Sequence, residues 1–491
     1  MINSIQHFGE FGIKKLEKAL KDFYKNPKNF APFVDVIEET VLGLGRDLLQ
    51  EAMNDMDQML IDSGKRKQDW NIVRHDHKQL ITSIGTINYN KTLFSPKGIK
   101  GKEGVYLINQ ILGIEQHERL SEDAAAKLYQ EAVQTSYGRA GGSVNWEDMV
   151  SKETVKNKIH SLKFPSETEK PEKKKVVKNL YIEADEDHVP LQFHEKRGDL
   201  KRNKNHRKDN CAIVKLIYVH EGIVPESPGS KRNHLIQVHY FSGIYDGAEN
   251  SRLWNDVYAC LDSHYDLDRV KHIYLNGDGG AWISAGKKQI AGTSYVLDEF
   301  HISEYLLKMT GHMLYSAQDA RDELCDAVRN GTKADFRSVA ERIDNCADTE
   351  AAHKRIAESA GYILRNWTPA KVRLRHKDGV KGCSAEGHVS HILSDRMSSR
   401  PMGWSREGAD KIAHLRAYEA NHGDMLELVR LQKEELPKAA GAENEVLSSA
   451  EMLAWEHQNE KPMGKAVEAI NHSLPSKYSM LADFNPNIWG L

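Results

Sequence analysis

The sequence predicts an α+β protein of several domains, built around one α/β core that an all-helical insertion interrupts. Three observations lead there. Between Val176 and His301, apolar runs of strand length and runs of helical period follow in the order three strands, a helix, a strand, a helix and a strand. That is the order of an RNase H-like core. From Ile302 to about Trp367 the pattern is helical throughout. Ahead of both lies Ser166 to Lys175, SETEKPEKKK, which is charged, contains proline and has no apolar residue, so it reads as a linker with a new domain opening near Val176.

The bulk numbers agree with several domains. A chain of 491 residues is too long for one ordinary core, and 40% hydrophobic with 28% charged residues is globular composition. No stretch approaches 18 consecutive apolar residues, and charges interrupt the N-terminal run where a signal peptide needs an apolar block. The expectation is an intracellular, cytoplasmic protein associated with the nucleoid, with no membrane partner. Five cysteines, Cys211, Cys260, Cys325, Cys346 and Cys383, are widely spaced and form no C-x-x-C pair. They read as reduced and mostly buried thiols, with Cys383 set apart by its neighbours.

Residues 1–62 read as amphipathic helices, with Ile13, Leu16, Leu20 and Phe23 on one face. Residues 63–118 form a small β-ribbon module, since QLITSIGTINYNKTLF alternates and GIKGKEG supplies turn glycines. Residues 119–165 suggest a helix-turn-helix, with helices over 121–135 and 151–162 joined by the glycine-rich SYGRAGGSVNWEDM. Ser151 is the candidate N-cap of the second helix; Val155, Ile159 and Leu162 share one face, leaving Lys152, Lys156 and Lys158 for DNA phosphates. After the linker at 166–175 come the first part of the core (176–301), the helical insertion (302–380), and the second part of the core with the C-terminal region (381–491). A helix is expected from Ala385 to Ser399, stopped by Pro401.

The core strands are read as VVKNLYIEAD, AIVKLIYVHEG, HLIQVHYFSGI, VKHIYLNGDGG and TSYVLDEFH. Acidic residues gather where they end. Phosphodiester chemistry on two Mg²⁺ ions needs several carboxylates converging on one point, because hard cations take oxygen ligands. The first candidates are in EADEDHV: alternation sets Glu183, Asp185 and Asp187 on one face, and the pattern cannot choose among them. The second is Asp278, flanked by glycines in LNGDGGAW just after a strand. The third is Glu386, in the first turn of a helix whose Val389 and Leu393 turn toward the sheet. A capping Asp and a dipole-favouring Glu are the ordinary roles for the last two.

LYIEADEDHVPLQ, YLNGDGGAWI, VLDEFHISEYL and CSAEGHVSHILSDRMSSRPMGWS, in this order, resemble the ISLre-type bacterial insertion-sequence transposases, which are distantly similar to Mutator-like enzymes. The resemblance implies a DDE-type transposase that cuts DNA and transfers strands with two Mg²⁺ (or Mn²⁺) ions. It implies Asp185, Asp278 and Glu386 as catalytic and metal-holding residues, and the stretch from Ile302 to Trp367 as an insertion between the second and third. It also implies a supporting D-x-x-H motif at Asp298 and His301.

The net charge of −3 is unusual for a DNA-binding protein, but the distribution is uneven. Between Ala351 and Arg416 thirteen Lys or Arg face six Asp or Glu, and EKRGDLKRNKNHRKD at Glu195 to Asp209 adds a second basic run near Lys196. Arg396, Arg400 and Arg406 are expected to hold phosphates near the cut, DNA affinity also to reside near Arg373, and Trp282 and Trp404 to stack on a base or sit in the core. The partner is double-stranded DNA, both element ends and target, engaged by a homo-oligomer. Two other classes fit the same residues: an RNase H-like nuclease that does not join strands, and a domesticated DNA-binding protein.

Overall fold

The computed structural model describes residues 2–98, 104–115, 117–147, 149–165, 173–193, 210–375, 380, 382–400, 402–433 and 447–455. The chain is of mixed α and β structure and divides into two compact units, Met1–Val155 with Met425–Leu491, and Lys156–Asp424. The division runs inside the helix Lys152–His160, ahead of the expected linker, of which residues 166–172 lie outside the described ones.

The first unit opens with helical segments Ile2–His7, Phe8–Gly12 and Ile13–Lys25, then the 33-residue helix Phe30–Asp62. A ribbon follows: β1 (Trp70–Thr82) pairs antiparallel with β2 (Gly85–Pro96), and β3 (Val105–Tyr106) pairs with the far edge of β2. Gly85, at φ +127°, closes the turn in a conformation that a side chain would strain. Alternation buries Ile87 and Tyr89 of β2 with Leu60, Trp70, Leu80, Phe94, Leu107 and Ile108. The glycine-rich connection expected as a loop instead folds in part as a short helix, Tyr137–Gly142, because the Ser136 hydroxyl accepts from the Arg139 N–H at its start. Gly141 is required by packing: a Cβ there would lie 2.0 Å from the Val150 carbonyl oxygen. The chain from Met425 belongs to this unit, where Met425–Leu431 packs on Glu122–Gln134 and Arg430 pairs with Glu122.

The second unit holds a five-stranded sheet made of β4 (Asn179–Pro190), β5 (Cys211–His220), β8 (His239–Gly243), β9 (His272–Gly277) and β10 (Thr293–Leu297). A separate hairpin of β6 (Gly222–Pro225) and β7 (Asn233–Ile236) projects between β5 and β8. HLIQVHYFSGI is therefore two strands and not one: Gln237 takes φ +51° and breaks the run. The sheet order is β10-β9-β4-β5-β8, antiparallel at β4/β5 and β5/β8 and parallel at β4/β9 and β9/β10.

Side-chain alternation gives this sheet two unlike faces. On one, Leu180, Ile182 and Ala184 of β4 join Ile217, Val219, Ile273 and Leu275 under Leu253, Trp254, Val257 and Leu261 of the helix Asn250–His264. On the other stand Tyr181, Glu183, Asp185 and Asp187. After β10 the chain is helical as expected, through Glu299–Thr310, Ala317–Arg329, Lys333–Asp344, Glu350–Arg365 and Trp367–Arg375. These helices carry their own core, including Leu306, Leu324, Phe336, Ile356 and Ile363.

The five cysteines are free, but only Cys260 is buried, while Cys211, at the start of β5, and Cys346, in the turn after a helix that ends at Asp344, are exposed. Among the described residues no helix is long and apolar enough to cross a membrane.

Candidate functional site

The acidic face of β4 comes to a rim where parallel strands end. Glu183 is matched with Asn276 across β4/β9, and Asp185 and Asp278 each lie two residues beyond that pair, so the parallel register brings them side by side. On the next strand, the Asp298 N–H donates to the Gly277 carbonyl at 3.0 Å. Three acids thus gather where β9 and β10 end beside the middle of β4, which runs on to Pro190 paired with β5 alone. The turn after β9 is built for this: Gly279 has φ +95°, the Gly280 N–H donates to Asp278 Oδ1 at 2.8 Å, the Gly279 N–H donates to the Tyr295 hydroxyl at 2.8 Å, and the Tyr362 hydroxyl donates to the Asp278 carbonyl.

Electrostatics separate the three candidates that alternation could not. Burial, joined by the Asp278 charge, lifts the Asp185 carboxyl to about 6, against the Glu186 N–H that donates to it at 2.8 Å. Its favourable neighbour is His301. Glu183 is fully buried and goes the other way: burial pushes it up, but hydrogen bonds from His220 and Tyr218, the His220 charge and the Ser384 N–H together hold it below the ordinary range. The Ser384 N–H donates to Glu183 Oε2 at 2.8 Å and His220 Nε2 lies 3.3 Å from Oε1. Asp187 accepts from the Ser398 hydroxyl at 2.7 Å. Glu186, on the opposite face, accepts from Trp282 Nε1 at 2.6 Å.

Asp298 caps the helix that follows it, accepting from the Phe300 N–H at 3.2 Å. Burial raises its carboxyl, opposed by that hydrogen bond and by the charges of His301 and Arg373. His301 therefore interacts with both Asp185 and Asp298 from the first turn of that helix. Glu386 is exposed in the first turn of Ala385–Val389, a helix that packs on β4 and whose leading residue Ser384 is bonded to Glu183. The helix continues as a widened π turn, Ser390–Ser394, before Asp395–Met397.

Asp185 and Asp278 are brought together; Glu386 is not gathered with them. Among the described residues no group of three His, Cys, Asp or Glu is arranged to hold a metal ion. The donor set at the rim is a pair of carboxylates, which suits Mg²⁺, since that ion commonly takes one or two carboxylates and completes its shell with water and phosphate.

The expected DNA contacts fare unevenly. Lys152 and Arg400 are exposed, and Lys156 and Lys158 are half-buried. Arg396 is corrected: it is 3% exposed, its guanidinium lies over the Trp404 ring at 4.7 Å, and it donates to Met402 Sδ, because a planar cation can stack on an indole in the interior. Trp404 is itself core, donating to the Met397 carbonyl, and Trp282 is partly buried, so neither is an open stacking platform. Arg406 pairs with Asp246 and Arg373 with Glu299. The basic run at 195–209 lies outside the described residues. Cys383 is held protonated, its thiol pushed well up by burial and by Glu183 and Asp298.

Residues 24–435 match the model of an uncharacterised protein family, UPF0236. The chain belongs to the UPF0236 family. Its relatives include UPF0236 proteins of Caldanaerobacter subterraneus subsp. tengcongensis: one is 32% identical over 84% of this chain and 83% of its own length, and its name joins eleven locus designations. A second is 33% identical over 83% of this chain and 82% of its own length. Among solved structures, the Drosophila P element transposase strand transfer complex aligns at 11% identity over 64% of this chain and 82% of that one, with a TM-score of 0.22.

Proposed function

We propose that this UPF0236 protein is a DDE-type transposase of the ISLre type, which cleaves DNA and transfers strands from an RNase H-like core. The observation that carries the reading is the pair Asp185 and Asp278: two neighbouring carboxylates where the β4/β9 pairing ends, one of them lifted to about 6 by burial and by the other. Protein groups compensate this pair only in part: the Glu186 N–H and His301 oppose the burial of Asp185 without bringing it back to the ordinary range, whereas the partners of Glu183 hold it below that range. The sheet order supports the same reading. Taken along the chain, the strands lie third, second, first, fourth, fifth, with the second antiparallel to its neighbours, as an RNase H-like core requires. A relative spread over eleven loci of one genome is what an element copied by its own enzyme produces.

In this reading Asp185 and Asp278 hold divalent ions, with Glu386 as the third carboxylate, carried by a helix on the same face of the sheet. Bound Mg²⁺ or Mn²⁺ would supply an activated attacking oxygen and a stabilised leaving oxygen. Asp298 fixes the first turn of its helix and so orients His301 toward the carboxylate pair, where its ring N–H can meet a DNA phosphate. Lys152, Lys156, Lys158 and Arg400 contribute phosphate contacts, and the protein acts as an oligomer on the element ends.

The test is cleavage of a duplex carrying the inverted repeats that bracket this reading frame, in MgCl₂, with Asp185→Ala and Asp278→Ala beside the native chain. Nicking and joined product from the native chain, lost in both variants, are expected. Cleavage that survives either substitution would sink the assignment, and nicking without joined product would make the protein a nuclease.

A further inference from the structure

The long helix Phe30–Asp62 carries two different apolar faces near its start. One is used internally: Phe33 stacks on Phe23 of the preceding helix with ring centroids 5.0 Å apart, Thr40 is buried, and Lys15 pairs with Glu39 at 2.7 Å to fasten the two helices into a hairpin. The other has no cover among the described residues. Phe30, Val34, Ile37 and Val41 are 60%, 42%, 38% and 52% exposed, and their spacing of four, three and four residues makes a single seam along the helix. Phe30 touches Phe23 only by an edge, at 5.9 Å. Such a seam is the pattern by which one helix packs into another, each residue entering a hole between four on the facing helix. A run of four large exposed apolar side chains is uncommon on a surface meant for water.

We infer that this seam is a self-association surface, covered by the same helical hairpin of a second copy of the chain. The charge pattern selects that occupant. The helix Ile13–Lys25 carries five lysines against Glu17 and Asp22, while the stretch 30–41 carries Asp35, Glu38 and Glu39 and no cation. Each hairpin therefore has a basic helix alongside an acidic half-helix. A two-fold axis through the seam, which presents the same patch on both copies, can set the basic helix of each against the acidic half-helix of the other. DNA is disfavoured as the occupant, because the seam lies on the acidic half-helix and not on the basic helix.

The experiment uses the full-length chain in sedimentation velocity across the micromolar range, with no DNA, so that it stands whether or not the enzymatic reading does. Native protein is expected to sediment at twice the chain mass. Val34→Ser with Ile37→Ser, which changes exposed residues only, should weaken the dimer by about tenfold or more. Asp35→Lys with Glu38→Lys, which leaves the Lys15–Glu39 pair of each hairpin intact, should weaken it as well, and the loss should shrink at high salt. A circular dichroism spectrum matching the native one checks that the variants fold. A native chain that stays monomeric throughout, or a seam variant that dimerises as tightly as native, overturns the inference.

Discussion

Glu183 and Asp185 stand two residues apart on the same face of the same strand, and their carboxyls are shifted in opposite directions. Glu183 lies inside the sheet, where β5 supplies Tyr218 and His220 and the segment before Glu386 supplies the Ser384 N–H. Every demand of a buried carboxylate is met there by protein groups, so the residue holds structure. Asp185 lies at the rim, two residues past the end of the β4/β9 pairing, where the charge of a neighbouring acid, Asp278, raises it. The demand left unmet at the rim is the mark of a place that receives something from outside.

The largest expected effect breaks the comparison outright. If the rim pair is the reactive one, Asp185→Ala and Asp278→Ala should each lower cleavage by at least about 10³-fold, roughly 4 kcal/mol of activation free energy. Duplex binding, followed by gel shift, should change little. A variant that loses binding and cleavage in parallel would mean that the acids hold the fold and not the reaction.

Next comes the interior. Glu183→Ala strands the buried His220, Tyr218 and Ser384 partners and should cost about 3 kcal/mol in urea unfolding. A cost below about 1 kcal/mol would remove the contrast between interior and rim.

How much of this was legible before the fold was known depends on which force decided each feature. Local pattern was enough for the strands, since Leu180, Ile182 and Ala184 alternate with Tyr181, Glu183 and Asp185, and enough for the helices after Asp298. It could not separate Glu183, Asp185 and Asp187, because what separates them is which strand or helix faces each one: β5 for Glu183, the rim for Asp185, Ser398 for Asp187. Arg396 was misread for a similar reason. A cation in a basic stretch looks solvated until a tryptophan eight residues later folds back beneath it. The split between β7 and β8 hinged on one backbone angle at Gln237, a residue type that gives no warning of it.

A third and smaller effect follows from the sign of each shift. A carboxyl raised from 3.8 to about 6 adds stability that is fully present below pH 3.8 and is lost as the pH rises through 6, costing the metal-free fold on the order of 3 kcal/mol at pH 7. Asp185→Asn removes that cost and should stabilise the protein at pH 7 but not at pH 4. Glu183 has the opposite slope: its contribution is present above 4.5 and is lost as the pH falls through its lowered value. Unfolding midpoints measured from pH 4 to 7.5 should therefore lose in Asp185→Asn the native fall between about pH 4 and 6, and stay above native by a constant amount at higher pH. An unchanged profile would place Asp185 in ordinary solvent.

The smallest effect is the most discriminating. If the rim is strained because it awaits a divalent ion, MgCl₂ or MnCl₂ should relieve it. At ten times the dissociation constant an ion bound only by the folded state stabilises by about 1.4 kcal/mol, a few degrees in the thermal midpoint for a unit of this size. Asp278→Asn should abolish the rise, and so should lowering the pH below about 6, where Asp185 takes up a proton that the ion would have to displace. Glu386→Ala then distinguishes two forms of the site. With the helix Ala385–Val389 as it stands, Glu386 is exposed and apart from the pair, so the variant should respond to the ion as the native chain does in the absence of DNA. A smaller response would mean that the ion alone draws Glu386 in. An undiminished response, joined to a loss of cleavage in the same variant, would mean that the third carboxylate enters only once DNA is bound.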